Sequence, residues 1–244
     1  YAQLADLEIN NFWFVARNRL IQWLAKNFLP ENGRYLELGC GTGFVLQMLC
    51  NAFPKWRISA SEAQADGIVY AKNRVGDDTT FFQMDACAIP FRSEFEVVGA
   101  FDVIEHIQDD VTAIKQIYAT LKPGGHCILS VPQHMFLWSG YDEGGCHFRR
   151  YSVGELENKL KLVGFSILVS TSFNSLLLPL MLISRTLKKG KTTDEIDVLD
   201  ELKLPSVLNI VFAAILWVEF VLIRLGVRFP FGGSRIVIAQ KPDQ

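Results

Sequence analysis

The chain has 244 residues, and its 24 basic and 26 acidic side chains give a formal net charge of −2. Half of the residues are hydrophobic and a fifth are charged, which indicates a globular protein with one substantial core. This charge balance provides no broad basic surface, so we expect no nucleic-acid partner. The cysteines form no C-x-x-C pair, which favours reduced thiols and a cytoplasmic location.

The first predicted elements are a helix, a strand and a glycine-rich turn. The helix includes the aromatic and basic run N-F-W-F-V-A-R-N-R at 11–19, and the strand at 35–38 leads into G-C-G-T-G at 39–43. Glycine lets a backbone approach a ligand closely and present amide N–H groups to it, so this turn predicts a nucleoside site. Phe44 stands where a dinucleotide fingerprint needs its third glycine, which disfavours a nicotinamide-dependent dehydrogenase.

The rest of the core alternates between helices and strands. Further strands are predicted at 57–61, 80–84, 97–101, 126–132 and 165–171, with helices at 44–53, 63–74, 109–121 and 153–163. A loop with the letters K-P-G-G at 122–125 is expected to end the third of these helices. A last strand at 234–240 is expected to insert antiparallel beside the sixth. This order predicts an α/β fold with a Rossmann-like seven-stranded sheet.

Four motifs in order carry a resemblance to a known family over about residues 33 to 170. They are the glycine turn with Glu37 before it, Glu62 after the second strand, Asp85 after the third, and F-D-V-I-E-H-I at 101–107 followed by a helix and L-K-P-G-G. Together they resemble the class I S-adenosylmethionine (SAM)-dependent methyltransferases, in particular types 11 and 12. The resemblance implies SAM as cofactor, S-adenosylhomocysteine as product, and one domain over 1–244.

The resemblance also implies roles for individual residues. Glu62 would accept hydrogen bonds from the ribose hydroxyls, as an acid does after the second strand of nucleotide-binding folds, although it can also cap the next helix. Asp85 would bind the adenine amine and the Ala86 N–H a ring nitrogen, although an Asp can simply start a turn. The predicted cofactor contacts are Trp13, Arg17, Glu37, Gly39, Cys40, Gly41, Gly43, Glu62, Ala63, Asp85, Ala86 and Phe101.

The helix before the sheet resembles the F-W-F-x-x-R helix that covers the SAM pocket in many bacterial methyltransferases. We therefore expect residues 1–32 to form a helical lid in which Trp13 or Phe14 covers the cofactor and Arg17 binds its methionine carboxylate. The alternative is that the apolar side chains of this helix only pack on the sheet.

A polar loop at 138–151 follows the fifth strand, at the sheet edge where open α/β folds bind ligands. His147 can act as a general base, because its unperturbed pKa of about 6.5 leaves it mostly neutral, and His106 competes for this role. Alternatively, the end of the loop caps the next helix and its arginines are scaffold. The predicted substrate contacts are Trp138, Tyr141, His147, Arg149, Arg150 and Tyr151. No metal site is predicted, because His126, His134, His147, Asp142 and Glu143 match no regular zinc spacing.

The segment 174–232 separates the core at 33–173 from the last strand and tail at 233–244, and it is unusually apolar. Its run at 207–225 approaches the length of a membrane span, but Glu219 and the return of both flanks to one sheet argue against a crossing. Three interpretations stay open: a helical cap over the acceptor pocket, a homodimer interface, or helices at the inner membrane surface with Lys188, Lys189 and Lys191 toward anionic headgroups.

These features favour a methyltransferase that acts on a small or amphipathic, lipid-like acceptor. Methyl transfer from a sulfonium has an activated leaving group, so holding donor and acceptor in line can supply most of the catalysis, with a base added where the acceptor must lose a proton. The alternative is a SAM-binding fold without methyl transfer, used as a regulatory module or as a cyclase.

Overall fold

The computed structural model describes residues 1–188 and 204–243, and it confirms the predicted seven-stranded α/β sheet. The strands lie in the order β3-β2-β1-β4-β5-β7-β6, and β7 is antiparallel to both of its neighbours. The order reverses between β1 and β4, which opens a crevice at the carboxyl ends of these two strands. The strands are β1 (Gly33–Leu38), β2 (Trp56–Glu62), β3 (Thr80–Gln83), β4 (Phe95–Phe101), β5 (Leu121–Pro132), β6 (Ser166–Phe173) and β7 (Ser234–Gln240).

Helices cover both faces of the sheet and bury two apolar layers. One layer involves α2, α3, α4 and α9, and the other involves α5 and α7. The helices are α1 (Ala2–Glu8), α2 (Phe12–Phe28), α3 (Phe44–Ala52), α4 (Ala65–Val75), α5 (Asp110–Thr120), α6 (Gly140–Gly144), α7 (Glu155–Val163), α8 (Leu178–Lys188) and α9 (Ser206–Arg224). Asn11 begins α2, because its side chain accepts a hydrogen bond from the Trp13 N–H at 2.9 Å.

The prediction of a loop at 122–125 is wrong in one respect. Helix α5 ends at Thr120 as the proline and glycines require, but β5 begins directly at Leu121. The buried Leu121 pairs with Phe95, and the next pair is Val97 with His126. The four residues between are therefore a bulge within the strand pairing and not a free connection.

The described part of the apolar insertion contains the helices α8 and α9, and α9 lies beside α2. The Asn209 side chain accepts from the Phe12 N–H at 2.8 Å and donates to the Asn10 carbonyl at 2.9 Å. Further along, the rings of Trp23 and Phe220 meet edge to face at 6.3 Å, so the two helices run in the same direction. Lys189 and Lys191 of the membrane interpretation lie outside the described residues.

Glu219 ties α9 to the start of α8. Its carboxylate is fully buried and accepts hydrogen bonds from the backbone N–H groups of Ser175 and Leu176, at 2.7 and 2.8 Å. Burial raises the pKa of this group above its ordinary value, although the backbone N–H groups oppose the shift. The acid within the apolar run therefore holds the two ends of the insertion to each other.

Candidate functional site

A cavity of about 1700 Å³ lies at the carboxyl edge of the sheet. Its walls come from the ends of β1, β2 and β4, from α1 and α2, from the loop around α6, and from α8 and the start of α9. Pockets for one small ligand typically measure about 300–1,000 Å³, so this cavity has room for two molecules side by side.

The glycine turn forms one wall of the cavity. Gly41 has φ +51° and faces open space, since a Cβ built there would meet nothing within 4 Å. A Cβ on Gly39 would lie 2.5 Å from Val103, and one on Gly43 would lie 2.9 Å from the Ala71 backbone. Gly41 therefore provides a cradle that fits a nucleoside. Gly43 lets α3 and α4 approach each other and does not line the cavity, so its predicted cofactor contact is not seen in the lining.

Glu62 joins the turn to the end of β2. Its carboxylate accepts hydrogen bonds from the N–H groups of Gly41 at 2.9 Å, Ala63 at 2.8 Å and Gln64 at 3.2 Å. The contacts with Ala63 and Gln64 lie just before α4, so they agree with the predicted alternative, a carboxylate that caps the next helix. A carboxylate offers about four lone-pair sites, so at least one of them can still accept from a ligand hydroxyl in the cavity.

Asp85 and Ala86 lie together on the cavity wall after β3. The Asp85 carboxylate accepts from the Cys87 N–H at 2.8 Å, which is the local turn that the sequence offered as its alternative role. The second carboxylate oxygen remains for a ligand. Cys40 and Phe101 also line this part of the cavity, as does Ala63.

Arg17 enters the cavity from α2 and pairs with Asp102 at the end of β4. Its guanidinium stacks on Trp13, 4.6 Å from the ring centroid. Within the ion pair, the side chain of Arg17 is 8% exposed and that of Asp102 is 21% exposed. Trp13 and Phe14 both line the cavity. The contact between Arg17 and the cofactor carboxylate stays a prediction, because the guanidinium already has a carboxylate partner within the chain.

We expect Arg17→Ala to lower the free energy of unfolding by about 2 kcal/mol, because it leaves the partly buried Asp102 carboxylate without its partner. The effect is set below that of a fully buried pair, since water reaches Asp102. Urea denaturation monitored by circular dichroism measures it. Arg19→Ala is the matched control on the exposed side of the same helix, and equal losses for the two variants would contradict the role of the ion pair.

Glu37 lies under the turn, nearly fully buried and on the cavity wall. Burial raises its pKa to about 8, and the Tyr35 hydroxyl, which donates to it at 2.9 Å, and the Arg17 charge oppose this shift. The predicted cofactor contact of Glu37 therefore involves a carboxyl group whose charged form is disfavoured by burial.

The acceptor side of the cavity is built around Asp142 in α6. Asp142 accepts from His147 Nδ1 at 2.8 Å and from Arg150 Nε at 2.7 Å, and all three side chains are buried. Burial acts to raise the pKa of Asp142, but the hydrogen bonds from His147 and Arg150 outweigh it and hold the pKa below its ordinary value. Tyr141, His147 and Arg150 line the cavity as predicted for substrate contacts.

Three other predicted substrate contacts do not line the cavity. The Tyr151 hydroxyl donates to Asp110 at 2.6 Å, and Arg149 pairs with the other oxygen of Asp110 at 2.9 Å. The Trp138 ring nitrogen points to Glu143 at 3.4 Å. These side chains hold the loop to α5 and to itself, which is the scaffold role that the sequence offered as an alternative.

The cavity contains residues that sequence reasoning did not assign to it. Glu105 is fully buried beside His106, and burial followed by the Asp102 charge raises the pKa of Glu105 well above its usual range. His106, which the sequence does name as a competing general base, also lines the cavity, and burial and the neighbouring His147 lower its pKa. The insertion adds an apolar wall made of Leu177, Leu180, Met181, Leu204, Leu208 and Phe212.

Comparison with known proteins agrees with this geometry. The family model described as a methyltransferase domain matches residues 12–170. A malonyl-[acyl-carrier protein] O-methyltransferase of Priestia megaterium is 31% identical over 114 residues, which are 46% of this chain and 42% of that protein. The chain thus spans less than half of the length of this curated relative.

Two solved structures share the fold at low identity. The [4+2]-cyclase SpnF superposes with a TM-score of 0.63 at 20% identity, covering 95% of this chain and 83% of its own. Phosphoethanolamine N-methyltransferase 2 of Haemonchus contortus in complex with S-adenosyl-L-methionine superposes with a TM-score of 0.62 at 20% identity, covering 92% and 52%. At such identities the likeness concerns the fold alone.

Proposed function

This chain belongs to the SAM-dependent methyltransferase family, and from this premise we propose that it transfers a methyl group to an amphipathic acceptor at a membrane surface. The family also confirms SAM as the cofactor. The observation that carries the proposal is the cavity, which continues from the glycine turn into the apolar wall of the insertion.

The residues of the turn fit the cofactor. Gly41 leaves space for a nucleoside, Glu62 offers a carboxylate oxygen to the ribose, and Asp85 offers one to the base. When bound, SAM supplies a methyl group on a sulfonium, and the sulfur is a leaving group that needs no further activation. The chain contributes position: Trp13 and Phe14 on α2 line this end of the cavity.

The acceptor end of the cavity is polar on one side and apolar on the other. Arg150, His147 and Glu105 lie on the sheet side, whereas Leu180, Leu208 and other aliphatic side chains line the insertion. A molecule with a polar reacting group and a long apolar part matches both walls, because each part is then removed from water against a surface of its own kind.

The outer face of α9 supports contact with a membrane. Apolar side chains at helical spacing point away from the protein: Val207, Ile210, Val211, Trp217 and Val218, with Ile210 68% and Trp217 54% exposed. The described helix α9 is long and apolar enough to cross a membrane. Its flanks return to one sheet and Glu219 binds the backbone just before α8, so we place it along the membrane surface.

The charge of this side of the protein fits anionic headgroups. Within α2, α8 and α9, Glu219 is the one acidic residue, and it is buried. Arg19, Lys26 and Arg224 are exposed on α2 and α9. The whole chain has slightly more acids than bases, so the excess of basic side chains within these three helices is a local feature that attracts an anionic lipid surface. A peripheral position at the cytoplasmic side of the inner membrane follows as our proposal.

The acceptor is tested by following S-adenosylhomocysteine after incubation of the protein with SAM and either the lipid or the aqueous fraction of a bacterial extract. We expect product with the lipid fraction. Product with the aqueous fraction alone would contradict an amphipathic acceptor, and SAM binding without product in either fraction would favour a binding module or a cyclase.

We expect Trp217→Asp to weaken binding to vesicles that contain phosphatidylglycerol by about tenfold or more, because a charged group replaces a large apolar one at the proposed contact. Co-sedimentation measures it. Leu162→Asp is the matched control, since Leu162 is 87% exposed on α7, which packs on the other face of the sheet. Absence of co-sedimentation of the unmodified protein, together with a concentration-dependent dimer that Trp217→Asp abolishes, would assign the face to a homodimer instead.

A further inference from the structure

Three metal-binding side chains meet in the cavity outside the cofactor turn. Glu105 and His106 belong to the short 3-10 turn after β4, and His147 follows α6. One possible ligand atom from each of the three lies within 4.8 Å of the other two. The two imidazole rings meet edge to face with their centroids 4.5 Å apart. Residues about forty positions apart in sequence thus converge on one point of the cavity wall.

The Glu105 carboxylate is the first independent sign of a ligand at this point. The side chain is fully buried, and neither of its oxygens has a hydrogen-bond partner among the described residues. An unpaired carboxylate away from water costs several kcal/mol, so a buried carboxyl group is normally protonated, hydrogen-bonded, paired with a cation or bound to a metal, and a metal ion stabilises its anionic form. Arg17 and Arg150 in the same cavity are already held by Asp102 and Asp142.

His147 is oriented in the way that metal-binding histidines usually are. Its Nδ1 is hydrogen-bonded to Asp142 at 2.8 Å, which directs the Nε2 lone pair to the other side of the ring. Asp142 is itself fixed by Arg150 at 2.7 Å and by the Ser139 N–H at 2.9 Å. Gly145 has no side chain, and a Cβ there would lie 3.2 Å from Nε2. His147 therefore has a carboxylate at Nδ1 and, because Gly145 has no side chain, space next to Nε2.

We propose that Glu105, His106 and His147 bind a divalent first-row transition metal ion such as Zn²⁺. Two imidazoles and one carboxylate suit Zn²⁺ and its neighbours, whereas Mg²⁺ and Ca²⁺ prefer oxygen ligands alone. Three protein ligands leave at least one coordination position open, and this position faces the cavity. In this arrangement the two histidines hold the cation and neither accepts the acceptor proton directly.

The open position gives the metal a role that rests on the proposed function. A hydroxyl oxygen of the acceptor bound there would release its proton to water more readily, since a metal ion lowers the pKa of a bound oxygen. That oxygen then supplies the electron pair of the new bond to the methyl carbon, and the electrons of the broken carbon–sulfur bond remain on sulfur. Metal binding itself requires neither SAM nor acceptor, so it can be tested separately.

The test is titration of the full, metal-stripped chain with ZnCl₂ by calorimetry, without SAM or acceptor, with Co²⁺ substitution to detect imidazole ligation in the visible spectrum. We expect one site, an affinity at least tenfold to a hundredfold weaker in Asp142→Asn, and a larger loss in Glu105→Gln and His147→Ala. Glu105→Gln keeps the side-chain shape, and circular dichroism of the metal-free variants verifies that each is folded.

Two control variants distinguish this site from adventitious binding. His126→Gln alters a half-buried histidine on β5 that does not line the cavity, and Cys146→Ser removes the exposed thiol next to His147. Both should retain the unmodified affinity. A folded Glu105→Gln variant with unchanged zinc affinity would overturn the proposal, as would loss of binding in Cys146→Ser or the absence of binding to the unmodified chain. If zinc binds but no methyl acceptor is found, only the proposed function fails.

Discussion

Gly41→Val should abolish measurable SAM binding and lower the affinity at least a hundredfold. Gly41 lines the cavity with φ +51°, and a Cβ built on it would meet no atom within 4 Å. The valine methyl groups would occupy the space that the nucleoside needs, and a β-branched residue is also poorly tolerated in left-handed backbone. Calorimetric titration with SAM measures the loss.

Gly154→Val separates the two effects in this variant. Gly154 also has a left-handed backbone, with φ +77°, and open space at its Cβ position, but it begins α7 and does not line the cavity. It should therefore share the backbone strain of about 1–2 kcal/mol and keep the affinity for SAM. A Gly41→Val protein that binds SAM as well as Gly154→Val does would show that the nucleoside does not lie against Gly41.

Glu62→Ala should weaken SAM binding by roughly 1–3 kcal/mol, or about 5- to 150-fold, through lost charge-assisted hydrogen bonds. Part of this loss comes from the ribose, and part from the turn, because the carboxylate also holds the Gly41 N–H at 2.9 Å. Glu62→Gln keeps one acceptor oxygen and the side-chain length, so its affinity should lie between those of the alanine variant and the unmodified protein.

Asp66→Ala is the matched control for Glu62→Ala. Asp66 is a carboxylate four residues further on, in the first turn of α4, and it does not line the main cavity. Its removal changes the net charge equally and should leave SAM binding within about twofold of the unmodified value. Unchanged affinity in Glu62→Ala would show that the end of β2 is not the ribose site.

Much of the fold could be predicted because its signals are local. The strand at 35–38, the glycines after it and the helix from Phe44 are contiguous in sequence, and the structure extends the strand only to Gly33. The bounds predicted for the last strand match the observed ones, Ser234–Gln240, and its antiparallel insertion is confirmed. The pairing of Leu121 with Phe95 could not be predicted, because a proline and two glycines normally indicate a free loop.

The site was harder to predict, because its side chains choose partners that are distant in sequence. Nothing near Arg149 or Tyr151 reveals that both bind Asp110, about forty residues earlier. In the sequence, the E-H pair at 105–106 belongs to a motif that resembles a family pattern, and only the fold brings it to His147. A charged residue within an apolar run is a better signal. Glu219 argues against a membrane crossing, and its buried carboxylate accepts hydrogen bonds from the backbone just before α8.

The most direct test of the central claim is a pair of calorimetric titrations of the unmodified protein, one with SAM and one with NAD. The turn at 39–43, with Glu62 beyond it, should bind one SAM per chain. The titration with NAD should show no binding, because Phe44 replaces the glycine that a dinucleotide turn needs. Binding of NAD with no binding of SAM or S-adenosylhomocysteine would contradict the assignment of this cavity.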